Sequence, residues 1–316
     1  MTTRNALVVG GAGFIGSHVA EALLGAGYAV TVLDDLSSGR RDQVPAAAGF
    51  VQADIRSSEA AACVREGGFD LLCHLAAQMD VRRSVTDPSF DADVNIRGSL
   101  NLFEAVRGSG RATRIIFAST GGAVYGDFVA PPNIETYAKD PESPYGIAKF
   151  AVELYLAYYA RVHGLDYIAL RFANVFGPRQ DPHGEAGVVA IFCQRILTGQ
   201  PLTVYGDGGQ TRDYVFVGDV ARAHLLAAAR PSIAPGRVDD RACNLGTGRE
   251  TSVLTLASTL MKVAGRSVAL QHAALRPGEQ RRSVVSIAKA EAELGWIPQV
   301  TLEDGLRRTF AWFSTR

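Results

Sequence analysis

Near its start the chain runs Ala6-Leu7-Val8-Val9, breaks into Gly10-Gly11-Ala12-Gly13-Phe14-Ile15-Gly16, and continues with apolar residues at helical spacing through Val19, Leu23 and Leu24. A second apolar run, Ala29-Val30-Thr31-Val32-Leu33, ends in Asp34. Strand, glycine turn, helix and strand in that order leave little besides a parallel βαβ unit. Glycine at 10, 13 and 16 lets the backbone turn tightly and approach a pyrophosphate lying on the helix N-terminus, so Gly10, Gly13, Phe14, Ile15 and Gly16 are assigned to a dinucleotide. An acid at the end of the second strand can accept hydrogen bonds from adenosine ribose hydroxyls and repels a 2′-phosphate. Asp34 therefore favours NAD over NADP.

The same alternation continues. Phe50-Val51-Gln52-Ala53 ends in Asp54-Ile55, Phe69 to His74 runs into Leu75-Ala76-Ala77, Arg114 to Ala118 leads into Ser119-Thr120-Gly121-Gly122, and Tyr167 to Phe172 follows. Helical patterns separate them, the clearest from Val94 to Val106. The pattern predicts an α/β fold, a doubly wound parallel sheet of Rossmann type, with ligands at the carboxyl ends of the strands. Asp54, Ile55, Leu75, Ala76, Ala77 and Ser119 sit at such ends and join the cofactor assignment. We assign residues 1–174 to this NAD-binding domain. From 175 to 316 punctuation increases, as in Gly177-Pro178 and Gly206-Asp207-Gly208-Gly209, and a smaller α/β substrate domain is expected.

Ser143-Pro144-Tyr145-Gly146-Ile147-Ala148-Lys149 follows the fifth strand. Ser143 suits a helix cap, Pro144 a first helical position and His163-Gly164 a stop. Tyr145 and Lys149, four apart, share one helix face. A phenol with an ordinary pKa of about 10 is a poor base at neutral pH unless a fixed cation supports its phenolate, and Lys149 can be that cation. At this spacing alone, the two residues would usually be no more than a helix face.

Composition removes some alternatives. Lys+Arg and Asp+Glu balance at 32 each, so no basic surplus calls for nucleic acid or an anionic membrane. Cys63, Cys73, Cys193 and Cys243 show no metal-ligand spacing, nor do the histidines, and read as reduced thiols of a cytoplasmic protein without a metal.

The ordered motifs resemble the extended short-chain dehydrogenases/reductases, and among them the nucleotide-sugar 4-epimerases of the UDP-glucose type. Those motifs are Gly10 to His18, Asp34, Asp54-Ile55, Val124-Tyr125-Gly126, Ser143 to Lys149, Leu170 to Asn174, Arg212-Asp213-Tyr214, Asn244 to Gly248 and Arg276-Pro277-Gly278-Glu279. The resemblance implies NAD-dependent 4-epimerisation of a UDP-hexose through a 4-keto intermediate, with N-acetyl forms admitted if Ser283 leaves the pocket wide. It implies Tyr145 as acid/base and Lys149 as its cation and nicotinamide-ribose ligand. Asn174, Val188, Tyr205, Arg212, Arg276, Glu279 and Ser283 fall at substrate positions, the strands Tyr214 to Val217 and Ala242 to Leu245 are expected to return to the first domain, and a homodimer pairing two helices per subunit is expected. Three positions depart from the pattern. Gly121 stands where many relatives carry a catalytic serine, so Thr120 is assigned that hydroxyl role, with Ser119 next to it. Val9 replaces a common threonine, and Met79 a lysine. Related dehydratases need a carboxylate beside the hydroxyl, where this chain has Gly121-Gly122. A UDP-uronate epimerase would need a cation such as Arg179 for the carboxylate. A catalytically silent NAD-binding scaffold is the reading outside enzymes.

Overall fold

A computed structural model describes residues 3–182, 187–234, 236–275 and 280–316. The first half supplies strands β1 (Asn5–Val9), β2 (Ala29–Asp34), β3 (Gly49–Gln52), β4 (Leu71–His74), β5 (Arg114–Thr120) and β6 (Asp166–Phe172). Between them run helices α1 (Phe14–Gly25), α2 (Ser58–Glu66), α3 (Val81–Thr86), α4 (Pro88–Ala92), α5 (Gly98–Gly108) and α6 (Pro144–His163). Then come β7 (Asn174–Phe176), α7 (Val188–Leu197), β8 (Leu202–Tyr205), β9 (Thr211–Arg212), β10 (Tyr214–Phe216), α8 (Val217–Ala229) and β11 (Ala242–Leu245). Helices α9 (Val253–Ala264), α10 (Ala288–Leu294) and α11 (Leu302–Ser314) complete the chain.

Seven strands form one parallel sheet in the order β11-β6-β5-β4-β1-β2-β3. Its strands are buried on both faces, so alternate residues go to opposite cores. Along β1, Ala6 and Val8 pack with α1 and α8, while Leu7 and Val9 pack with α2, α5 and α6. Chain order reverses between β1 and β4, the crevice where ligands of such sheets bind. A third core of Phe176, Phe192, Leu202, Tyr214, Leu256 and Leu306 lies among α7, α9 and α11. Strand β11 reaches back from this half of the chain to pair with β6, whereas β10 pairs with β7 in a separate ribbon.

The Val94–Val106 helix differs from its expected form. It opens with a π-helical turn over Asp93–Arg97 before α5 begins. The turn carries Asn95, whose side chain accepts from Gln78 N–H (2.9 Å) and donates to Gln78 O (2.9 Å) and Asp91 Oδ1 (3.0 Å). Widened turns of this kind cluster at functional sites, and this one fastens the segment following β4.

One ion pair fixes α6 against the sheet. Arg171 of β6 and Glu153 of α6 are both fully buried, with Nη2–Oε2 at 2.6 Å and Nε at 3.0 and 3.1 Å from the two carboxylate oxygens. Replacing Arg171 by Met leaves Glu153 buried without its partner and is expected to cost about 3–5 kcal/mol, seen as a lower urea midpoint. Glu153→Leu on that background should recover much of the loss. An unchanged midpoint in Arg171→Met would show that the pair does not hold the helix.

Candidate active site

The glycine turn is shaped by contacts of its own. Gly10 has φ +81, and a methyl group on it would lie 2.5 Å from Ala76 N; one on Gly16 would lie 2.1 Å from Gly10 O. The turn thus brings the ends of β1 and β4 into backbone contact, and Leu75 and Ala76 both donate to Val9 O, at 2.8 and 3.0 Å. Gly13 caps α1 without a side chain, so no cap side chain takes the N–H groups of its first turn, at Phe14 and Ile15. These features fit a dinucleotide pyrophosphate: a cradle without Cβ atoms, backed by an uncapped twelve-residue helix. Asp34 closes the cradle. Its Oδ2 accepts from Ala12 N–H at 3.0 Å and its Oδ1 from Leu36 N–H at 2.9 Å. Burial raises its pKa, and the two backbone bonds counter that shift.

Other residues assigned to the cofactor are placed differently. Asp54 is bound in a fork by Arg56, which also reaches Asp93 at 2.7 Å, and Ile55 is buried against Gly98. The Ser119 hydroxyl is buried and donates to Glu153 Oε1, into the protein. Ala77 is half-buried beyond Ala76.

The Tyr145–Lys149 pair stands at the carboxyl end of β5. Ser143 caps α6 by accepting Gly146 N–H at 3.2 Å, Pro144 occupies the first turn, and the helix ends at left-handed Gly164. Lys149 is 3% exposed; its Nζ donates to Ala118 O at 3.0 Å and lies 4.8 Å from the Phe117 ring centroid and 5.9 Å from that of Tyr145. Burial pulls its pKa down to about 8, against the upward pull of Asp91 and Glu153. Burial, assisted by the Asp91 charge, pushes the Tyr145 phenol up. His74, beneath Lys149, is held neutral with a pKa near 3, first by burial and then by that ammonium, and is hydrogen-bonded to Ser99 Oγ at 2.8 Å.

Thr120, half-buried, ends β5 next to Gly121-Gly122. Its Oγ1, Asn174 Oδ1 and Ser283 Oγ each lie 3.9 Å from the point that a methyl on Gly122 would occupy. The structure thus gathers three of the assigned residues from three distant segments. Ser283 is buried in a short strand, Arg282–Ser283, that pairs with β9 and with it Arg212. Arg212 Nη1 donates to Thr211 O (2.8 Å) and Gln280 O (2.9 Å). Val188 opens α7 on the third core, and Tyr205 ends β8. Arg276 and Glu279 lie outside the described residues. Arg179, the cation considered for a uronate, pairs with Glu21 of α1 at 2.5 Å. Met79 is exposed.

Sequence reasoning passed over Glu153, Asp91 and Asn95, and met Arg171 only inside the Leu170 to Asn174 motif, without a role. The available signals were an arginine within the apolar run Tyr167 to Phe172 and a glutamate one turn beyond Lys149 on the same helix face.

Residues 6–246 match the model of the NAD-dependent epimerase/dehydratase family. The chain is 42% identical to the UDP-glucose 4-epimerase of Mycolicibacterium smegmatis over 315 residues, 98% of each protein. It superposes on the UDP-glucose 4-epimerase of Thermotoga maritima, solved with UDP-glucose, with a TM-score of 0.93, 45% identity and coverage of 98% of this chain and 99% of that one. The UDP-glucose 4-epimerase of Thermus thermophilus, solved with NAD, gives a TM-score of 0.91 at 44% identity, with the same coverage. The chain belongs to the NAD-dependent epimerase/dehydratase family.

Proposed function

We propose that the chain interconverts UDP-hexoses epimeric at C4, with NAD as its resident cofactor. The observation that carries this reading is the buried Lys149 ammonium set beside Tyr145 at the end of β5, with the Thr120 hydroxyl on the same strand end. NAD, held by the glycine cradle and Asp34, supplies a hydride acceptor and donor at sugar C4. Tyr145 takes the proton of the 4-hydroxyl as the C4–H bond breaks, which leaves a 4-keto sugar. After that sugar turns, Tyr145 returns the proton to O4, and bound NAD would give back to C4 the hydride it took, so nothing is oxidised or reduced overall. A buried phenol resists ionising, and Lys149 is the fixed positive charge that makes proton acceptance possible. We assign Thr120 to pass or hold that proton at O4. The Gly121-Gly122 turn offers no carboxylate for the second proton transfer of a dehydratase, and Arg179 is already occupied by Glu21.

We assign Arg212, with Arg276 and Glu279, to the nucleotide diphosphate and ribose, where planar cationic forks match phosphate oxygens. Asn174, Val188, Tyr205 and Ser283 complete the substrate side. We also infer a homodimer. Ile147, Leu154, Tyr155, Tyr158 and Val162 leave an exposed apolar stripe along α6, at a spacing suited to helix pairing across a two-fold axis.

Three outcomes follow from these assignments. Protein purified without added nucleotide should release NAD and little NADP on denaturation, and NADP as the main species would remove the role given to Asp34. Tyr145→Phe should abolish epimerisation while retaining NAD, and Thr120→Val should slow it at least about tenfold. A Thr120→Val enzyme as fast as wild type would pass the relay to Ser119 or water. Light scattering at micromolar concentration should give a dimer mass; a monomer would mean that the α6 stripe is covered in another way.

A further inference from the structure

Arg212 and Ser283 ride on a ribbon too small to hold its own shape. Its three strands, Thr211–Arg212, Thr251–Ser252 and Arg282–Ser283, are two residues each, with β9 in the middle. Ladders this short are marginal without an added tie. The tie is Asp213, the residue after β9, which is fully buried. Its Oδ1 accepts from Thr247 N–H at 2.7 Å and from the Thr247 hydroxyl at 2.6 Å, and its Oδ2 from Gly248 N–H at 3.0 Å. The Val285 backbone N–H supports the same charge. Thr247-Gly248 leads into Thr251–Ser252, and Val285 comes two residues after Ser283, so one carboxylate grips the segments flanking both partners of β9. The main chain adds a third attachment, because Asp213 O accepts Asn174 N–H at 2.9 Å. A methyl on Gly246 would lie 2.3 Å from Oδ2, so the turn is closed down on the carboxylate.

We propose that Asp213 is the positioning residue of the nucleotide-sugar site, setting Arg212, Ser283 and Asn174 in fixed relation without itself touching substrate. This rests on the reading that a UDP-sugar occupies the site. Burial raises the Asp213 pKa, and its hydrogen bonds counter that shift, so the charge is kept by the donors that the carboxylate ties together. Arg212 donates to Thr211 O and Gln280 O, both on the ribbon, and its guanidinium is only as well placed as the ribbon is. A planar cationic fork meets phosphate oxygens in few geometries, so a small displacement weakens it. Lys149, by contrast, is bonded to β5, and the glycine cradle is built on the β1–β4 junction. Neither is attached to Asp213. Loosening Asp213 therefore weakens the hold on the nucleotide and spares the cofactor and the proton transfer.

The test uses holoenzyme of wild type, Asp213→Asn, Thr247→Val and the double variant. Asparagine keeps the shape but puts an NH2 group where donors need an acceptor, and valine removes only the hydroxyl bond. In calorimetry, the affinity for UDP and for UDP-glucose should fall at least about tenfold in Asp213→Asn and about threefold in Thr247→Val. The double variant should bind no more weakly than Asp213→Asn, since both changes act through one contact. KM for UDP-glucose should rise in step, while kcat stays within about twofold of wild type and the NAD released on denaturation is unchanged. Wild-type affinity in both single variants would overturn the proposal. So would equal losses of affinity, kcat and NAD content, the mark of a fold merely weakened. If Asp213→Asn yields no folded holoenzyme, Thr247→Val decides: a selective loss of UDP affinity supports the proposal and wild-type affinity overturns it. If the affinities shift as stated but wild type epimerises no UDP-hexose, the positioning role stands and the proposed reaction falls. A wild type that binds neither UDP nor UDP-glucose would overturn both.

Discussion

The buried contact between Arg171 and Glu153 is what the rest of the site hangs from. Arg171 uses its whole guanidinium. Nε and Nη2 hold Glu153, Nη2 also reaches Asp239 at 2.9 Å, and Nη1 donates to Tyr125 Oη at 3.0 Å and Glu135 O at 3.1 Å. Tyr125 donates on to Asn244 Oδ1 of β11 at 2.7 Å, and Asn244 N–H is accepted by Glu135 Oε1 at 2.8 Å. Ser119 of β5 adds its hydroxyl to Glu153. One polar cluster thus joins β5, β6, β11, α6 and the segment after Tyr125. Against a well-packed apolar alternative, such a cluster adds little net stability, because each charge must first be taken out of water. Its effect is registry. Glu153 lies one turn from Lys149 and two from Tyr145, so fastening it to β6 fixes the rotation and height of the Tyr145–Lys149 face of α6 over the end of β5.

That placement explains the electrostatic state of Lys149. An ammonium with so little exposure would ordinarily lose its proton, and burial does lower its pKa to about 8. Two carboxylates oppose that loss. Glu153 is already committed to Arg171, and Asp91 spends one oxygen on Gln78 and Asn95, so neither is bonded to the ammonium. The only hydrogen bond described for the ammonium is to the Ala118 carbonyl. Lys149 consequently stays charged near neutral pH by field rather than by contact, with donors left over for a ligand hydroxyl or a phenolate. A direct salt bridge would have neutralised the charge that the role proposed for Tyr145 depends on.

How much of this could be read from sequence follows from range. The βαβ start, the parallel sheet and the capped Tyr145–Lys149 helix were legible because strand length, glycine spacing and cap residues are local signals, and the structure realises them within a residue or two. The π-turn at Asp93–Arg97 was not, since the contact it carries is Asn95 bonding to Gln78, and nothing local distinguishes that asparagine. Glu153 looked like any helical glutamate until Arg171 was found opposite it. Ser119 and Thr120 are adjacent in sequence, yet strand alternation sends the first to Glu153 and leaves the second beside Gly122, a division that residue type alone does not settle. Asp34 was recognised as an acid at a strand end, but its two bonds to the backbone of Ala12 and Leu36 show that it also builds the turn beside it.

The two ends of the site are made of different material, and the proposed chemistry needs that difference. At the dinucleotide end the shape is set by main chain: Gly10 against Ala76, Gly16 against Gly10, Asp34 on two backbone N–H groups. Such contacts cannot adjust without breaking the β1–β4 junction, so whatever binds there is held in one place. At the end we assign to the sugar, the groups gathered are Thr120, Gly122, Asn174 and Ser283, all small. A sugar that must present first one face of C4 and then the other cannot be gripped at the ring. It has to be retained by its nucleotide while the ring turns in a pocket that favours neither face. A rigid cradle beside small lining groups would meet that requirement, with Tyr145, on α6, as the proposed acid/base for both orientations.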